Sequence, residues 1–146
     1  MSIAAAAPAG GISAEIGGRA RALVLRNAEI ERFEVQHGVG IFAMLDSALG
    51  HGAPLQARHV RDLVALGLVG AGMGDLGADQ LVGALPPHEN GTLALTAKRL
   101  VIAAFTPPAD EAAAKKKRPA GSRRRSGRAT ADGTSAPASR ASRAPA

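Results

Sequence analysis

The chain has 146 residues, no cysteine and only three aromatic side chains, all of them phenylalanine, and its formal net charge at pH 7 is +6. The lack of cysteine excludes disulfides and thiolate metal sites. The charge is divided unevenly, because residues 107–146 carry ten Lys or Arg against three acids, whereas residues 1–106 carry a net charge of −1. The basic isoelectric point therefore describes an appendage, and it excludes a folded domain whose whole surface is basic.

Three regions follow from composition. Residues 107–146 contain no Val, Ile, Leu, Met or Phe, so burial cannot offset a backbone ordering cost of about 1–2 kcal/mol per residue, and we predict a disordered basic tail. Residues 1–10 are predicted to be a flexible arm without the features of a secretory signal. Residues 11–106 are left for one small domain. Its longest apolar run, Leu63–Met73, is shorter than a membrane span, so we expect a cytoplasmic protein, with association with a virion left open.

The predicted elements begin with a β-hairpin. Gly11–Ile16 and Arg19–Leu25 are the strands, and Gly17-Gly18 between them supplies the positive φ angles that a two-residue turn requires. Five short helices follow, each predicted from apolar residues at spacings of three and four. Their predicted ranges are Ala28–Gln36, Ile41–Leu49, Gln56–Val69, Ala78–Leu85 and Thr92–Phe105.

The fold class is therefore α+β and mainly α, with an N-terminal hairpin, four or five short helices and a disordered C-terminal tail. Leu49 and Phe105 are assigned to the inward faces of their helices, and Arg58, Arg61 and Asp62 are expected to face water.

The motifs that could carry chemistry have simpler interpretations. Gly72–Gly77 matches G-x-G-x-x-G, but the run before it continues a helical period and no acid follows near position 94, so we interpret it as a flexible turn. The four histidines lie on separate elements without metal-binding spacing, and the acids Glu29, Glu31 and Glu34 are explained by a helix N-terminus. We expect no cofactor, no metal and no enzymatic activity.

The basic tail is the strongest non-catalytic signal. Its clustered cations could neutralise phosphates, and because no aromatic residues accompany them, such binding would be confined to the nucleic-acid backbone. The candidate phosphate contacts are Lys115, Lys116, Lys117, Arg118, Arg123, Arg124 and Arg125. A solubilising extension encoded by GC-rich codons explains the same composition, and the sequence leaves the two interpretations open.

The stretch from Ala14 to Phe105 resembles a small family of phage-tail proteins found in gene transfer agents and related siphophages. The resemblance lies in the order and spacing of short motifs. These are Gly17-Gly18-Arg19 before Leu23-Val24-Leu25, Ile30-Glu31-Arg32-Phe33-Glu34 before His37-Gly38, Leu49-Gly50 at a helix end, Arg61-Asp62-Leu63 with Leu66, Leu68 and Gly72, and Ala103-Ala104-Phe105. The long basic tail departs from the family pattern.

The resemblance implies a role in tail morphogenesis, either related to the tail tube or as a tail assembly chaperone that coats the tape-measure protein and recruits tube subunits. We expect the chaperone-like role, because a tube wall usually needs extended β-structure. The expected partners are other tail proteins, tail-tube or tape-measure, together with self-association. The alternative function is a nucleic-acid-associated protein that binds phosphates non-specifically through its tail.

Overall fold

A computed structural model describes residues 6–108, which form a two-stranded antiparallel hairpin followed by five α-helices and one 3-10 turn. The predicted fold class is confirmed for this part of the chain. The elements are β1 (Gly11–Ile16), β2 (Arg19–Val24), α1 (Asn27–His37), α2 (Ile41–Ala48), α3 (Ala57–Gly70), α4 (Asp75–Gly83), the 3-10 turn (Pro87–Glu89) and α5 (Asn90–Ala104). The tail predicted for 107–146 lies outside the described residues from 109 onward, as do residues 1–5 of the predicted arm.

The hairpin turns at Gly17 and Gly18, whose φ angles are 63° and 81°. Two consecutive residues in the left-handed region make the type of turn that matches the right-handed twist of the paired strands, and glycine adopts it without steric cost. Ile16 pairs with Arg19 directly beside the turn. One face of the hairpin packs onto the helices and buries Ile12, Ile16 and Leu23.

Helix α3 is the centre of the domain, and it packs against β2, α1, α4 and α5. Val60, Leu63, Val64 and Gly67 form a stripe on α3 at spacings of three and four residues, and all four are buried. Its neighbours also bury residues outside that stripe, so that every position from 63 to 68 is buried. A helix covered on most sides is apolar around most of its circumference.

Two glycines set the distance between α3 and its neighbours. A Cβ atom at Gly67 would meet the side chains of Leu100 and Leu23, and one at Gly70 would collide with the backbone carbonyl oxygen of Val24. Both glycines are buried in the C-terminal half of α3. At Gly70 glycine is required because the two backbones approach more closely than a side chain permits, whereas at Gly67 it leaves room for the side chains of Leu100 and Leu23.

The predicted start of α4, Ala78, is wrong by three residues because the helix already begins at Asp75. Gly74 has an extended backbone, and the Asp75 carboxylate occupies the first turn, where the helix dipole favours negative charge. Gly77 therefore lies inside the helix rather than in the preceding loop.

We expect Gly70→Ala to lower the free energy of unfolding by about 1–3 kcal/mol, because the added methyl group overfills a contact with backbone. Gly77→Ala is the matched control, since a Cβ there meets only the Met73 side chain at 3.8 Å. The control should raise stability by up to about 1 kcal/mol through helix propensity. Urea unfolding followed by circular dichroism measures both, and equal effects at the two sites would contradict the proposed close approach.

Candidate protein-interaction surface

Helices α2 and α5 lie side by side and run in opposite directions. The ring of Phe42, in the first turn of α2, packs against that of Phe105, just after the last residue of α5, with the ring centroids 5.2 Å apart. At the other end of the pair, Ser47 near the end of α2 and Ala94 near the start of α5 line one hollow. The beginning of each helix therefore meets the end of the other.

This helix pair presents apolar side chains to solvent. Phe42 is 66% exposed, Leu49 54% and Phe105 38%. Asp46, one helical turn after Phe42, is exposed on the same side of α2, and Lys98 on α5 is partly exposed. We call the set Phe42, Asp46, Leu49, Lys98 and Phe105 the α2–α5 surface. Exposed large apolar side chains with charged neighbours are typical of a protein contact site.

The predicted inward positions of Leu49 and Phe105 are wrong. Both residues occupy the C-cap, where the backbone has left helical geometry: ψ is 2° at Leu49 and 7° at Phe105. Helical spacing does not extend to a cap residue, so the side chain turns away from the stripe that predicted it. Residues Met44 and Ser47 fill the buried side of α2 instead.

The hollow beside this surface has a volume of about 340 Å³. The loop residues 50–55 form one wall, and Ser47, Ala94 and Lys98 complete it. Most of these residues are small, so the hollow is bounded largely by backbone and short side chains. Lys98 is the one lysine side chain at its edge.

A second group of exposed apolar residues lies on α1 and α4. Val35 is 87% exposed and Leu76 71%. Arg32, one turn before Val35, donates a hydrogen bond to the Asp75 carboxylate at 2.8 Å, which connects α1 to the first turn of α4 and raises the pKa of Arg32. The ion pair is exposed on both sides, so it adds little to stability.

Two of the four histidines come together although the sequence places them on separate elements. The rings of His37 on α1 and His59 on α3 are 4.9 Å apart, edge to face, and Phe33 packs against both. His37 Nε2 lies 2.7 Å from a carboxylate oxygen of Asp62. His59 is buried, and its Nε2 has no hydrogen-bond partner among the described residues. Burial and the proximity of His37 and Arg58 lower the pKa of His59.

Arg61 and Asp62 do not simply face water as predicted, because both are partly buried and hydrogen-bonded. Arg61 donates to the carbonyl oxygens of Val82 at 2.9 Å and Leu85 at 2.6 Å, and to Asn90 Oδ1 at 2.8 Å. These bonds satisfy backbone carbonyl oxygens at the end of α4 and connect that end to Asn90 at the start of α5. The groove of about 230 Å³ between α1, α3 and α4 is lined in part by Arg61, Asp62 and His37, whose side chains make these structural contacts.

The acids on α1 have more specific contacts than the helix dipole alone. Glu29 is buried and accepts a hydrogen bond from the Arg26 backbone N–H at 3.1 Å. Glu34 accepts one from the Ile41 N–H at 2.8 Å, which satisfies the first residue of α2. These carboxylates therefore cap helix ends.

The glycine motif does not form a nucleotide site. Val64–Gly70, which precedes it, is helical, so the strand that such a site requires is not there. Gly72, with φ of 113°, lies in the short loop between α3 and α4.

The described residues bear on metal sites and membrane spans but not on the predicted phosphate contacts. Among residues 6–108, no three or more His, Asp or Glu side chains are placed to hold a metal ion. No helix of that same part is long and apolar enough to cross a membrane. The predicted phosphate contacts, Lys115–Lys117, Arg118 and Arg123–Arg125, lie outside the described residues.

The fold and its exposed helix pair define a small α+β domain with an apolar contact surface. Comparison with protein families matches residues 9–106 to the family described as phage tail tube protein, GTA-gp10. Curated proteins and solved structures gave no match. The match covers more than half of the chain, so the chain belongs to this family, and it has a structural role in phage or gene transfer agent tails.

The family match confirms the resemblance drawn from the motifs. It indicates other tail proteins and further copies of the chain as partners, and it gives no support to nucleic-acid binding. The residues of the contact surface were not predicted. Phe42 did carry a signal, since it is one of only three aromatic residues.

We expect His59 to make stability depend on pH. Because its pKa in the folded chain is below the ordinary 6.5, the unfolded chain binds the proton more readily. The contribution of neutral His59 is therefore complete above pH 6.5 and is lost as the pH falls below it. His59→Phe should reduce the loss of stability between about pH 7.5 and 5.5, measured as urea midpoints.

His88→Gln is the control for that measurement, because His88 is exposed and should leave the pH dependence unchanged. Identical pH profiles for wild type and His59→Phe would show that the buried histidine does not carry the effect.

Proposed function

We propose that this chain is a non-enzymatic tail assembly factor of the chaperone-like kind, which binds tail-tube or tape-measure proteins through the α2–α5 surface. The observation that carries the proposal is the exposed aromatic pair. Phe42 and Phe105 contact each other and yet remain 66% and 38% exposed, in a chain with only three aromatic residues. Exposed aromatics at the centre of a contact surface are the side chains that dominate binding energies between proteins.

The described strands support the chaperone-like role over a place in the tube wall. Each strand has six residues, and the two pair only with each other within residues 6–108. Most of the described chain is short helices that pack around α3. A tube wall requires extended β-structure between subunits, whereas an assembly factor requires a surface that a partner can occupy and leave.

The non-enzymatic character is supported by the structural roles of three partly buried charged side chains. Arg61 donates a hydrogen bond to a carbonyl oxygen at the end of α4, and Glu34 accepts one from the first residue of α2. Asp62 is hydrogen-bonded to His37. Each of these side chains is engaged in a contact that maintains the fold. We place the protein in the cytoplasm, where tails are assembled.

The proposal predicts that Phe42→Ser/Phe105→Ser loses its tail partners. The full-length tagged chain should retain tail-tube or tape-measure protein from cells that are assembling tails, as identified by mass spectrometry. The double variant should retain at least about tenfold less, since central aromatic contacts typically contribute more than 1 kcal/mol each. Val35→Ser/Leu76→Ser is the matched control on the α1–α4 side and should bind normally. Undiminished retention by the folded Phe variant would refute the proposal.

An extension of the same experiment tests the alternative function, which is nucleic-acid binding by the basic tail. In a further full-length variant, Lys115–Arg118 and Arg123–Arg125 are replaced by Gln, and each sample is treated with and without nuclease. Retention that is independent of tail charge and nuclease supports the assembly factor. Retention that disappears with either treatment assigns the function to phosphate binding by the tail, whose salt dependence should approach one unit per phosphate contact.

A further inference from the structure

We infer that the α2–α5 surface is self-complementary, and that a second copy of this chain covers it through a two-fold contact in which Phe42 of each copy enters the hollow of the other. The inference rests on the proposed function in one respect, which is that this surface is the interaction site. It names the partner that occupies the surface in the free protein.

The α2–α5 surface has two features whose shapes could fit together in a contact between two copies. The surface has a protrusion at one end, formed by Phe42 and Phe105, and the hollow beside Ser47 and Lys98 at the other. Ser47 of α2 and Ala94 and Lys98 of α5 line the hollow, so the protrusion and the hollow lie toward opposite ends of the same pair of helices. Seven residues of helix place the two features about 10 Å apart.

The hollow is large enough to hold the ring of Phe42 from a second copy. A cavity of about 150 Å³ is enough to hold a benzene ring, and the hollow has a volume of about 340 Å³. Its walls are the loop residues 50–55 together with Ser47, Ala94 and Lys98. One phenyl ring therefore fits, with room for the residues that follow it.

In a two-fold contact, the aromatic protrusion of each copy can meet the hollow of the other. In a two-fold contact, residue i of one copy meets residue j of the other, and j meets i. An axis placed between protrusion and hollow brings Phe42 of the first copy into the hollow of the second, and the reverse. Both aromatic protrusions and both hollows are then covered by one interface.

Charge is the second and independent observation. Asp46 lies one turn after Phe42 on α2, and Lys98 lines the hollow. Neither side chain forms a salt bridge within residues 6–108. When Phe42 enters the partner's hollow, Asp46 follows it toward the partner's Lys98, so that opposite charges meet twice across the contact. A surface whose own charges are complementary favours its own copy over unrelated partners.

The test uses two full-length variants, Asp46→Lys and Lys98→Asp, at about 0.15 M salt, where charges in contact are not screened out. Wild type should be dimeric by sedimentation. Each variant alone should dissociate at least about tenfold more readily, because like charges face each other twice. Mixed in equal amounts, the two variants should form a heterodimer. In that heterodimer the lysine introduced in one variant faces the aspartate introduced in the other, and the native Lys98 faces the native Asp46.

Two controls separate the contact from a general effect of charge. Glu31→Lys makes the same change of charge on exposed α1 and should stay dimeric. Phe42→Ala should be monomeric and folded, with the far-UV spectrum of wild type and a lower unfolding midpoint, because the second copy no longer stabilises the folded chain.

Three results would overturn the inference: a monomeric wild type, variants that remain dimeric alone, or a mixture that stays monomeric. The outcome is distinguishable from that of the tail-protein experiment. If copies do not pair while tail proteins are still retained through Phe42, only the self-contact fails. If copies pair as described while the Phe variant keeps its tail proteins, only the proposed function fails.

Discussion

The close approach of α3 to β2 and α5 is the contact on which the rest of the structure depends. Gly67 and Gly70 permit it, because their missing side chains leave room for Leu100 and for the backbone at Val24. With few aromatics, the core is built from Leu, Ile and Val side chains together with Phe33. Helix α3 contacts α5, α4, β2 and α1, whereas α2 packs mainly against α5 and α1. The exposed aromatic pair lies where α2 packs against α5.

The ends of the helices show how far the fold relies on contacts between elements. The N-cap residues of the α-helices are Arg26, Gly40, Gln56, Gly74 and Glu89, and no cap side chain makes a hydrogen bond to its own helix. Ser, Thr, Asp and Asn are the usual caps. At α1 the cap is local, because Glu29 accepts a hydrogen bond from the Arg26 N–H. Two other helix ends are capped from a neighbouring helix: Glu34 of α1 accepts from the first residue of α2, and Arg61 of α3 donates to carbonyl oxygens at the end of α4. Helices with such ends are stable mainly as parts of the assembled domain.

This also explains which features the sequence could predict. The hairpin and the order of the helices follow from local signals, the Gly17-Gly18 turn and the helical spacing of apolar residues, and they agree with the structure. The start of α4 and the positions of Leu49 and Phe105 could not be predicted, because they depend on cap geometry and on a partner for Asp75. The pairing of His37 with His59 joins residues 22 positions apart on different helices. No local pattern encodes such contacts.

The self-contact and the chaperone-like role are physically consistent with each other. A protein that binds tail subunits must present apolar side chains, and an exposed apolar surface invites non-specific association. A two-fold contact covers that surface and closes at two copies, whereas a head-to-tail contact would continue into a filament. A tail protein that binds Phe42 must then compete with the second copy, so its apparent affinity falls in proportion to the fraction of free surface. In the proposed arrangement, the contact that protects the surface also sets the concentration of tail protein at which the second copy is displaced.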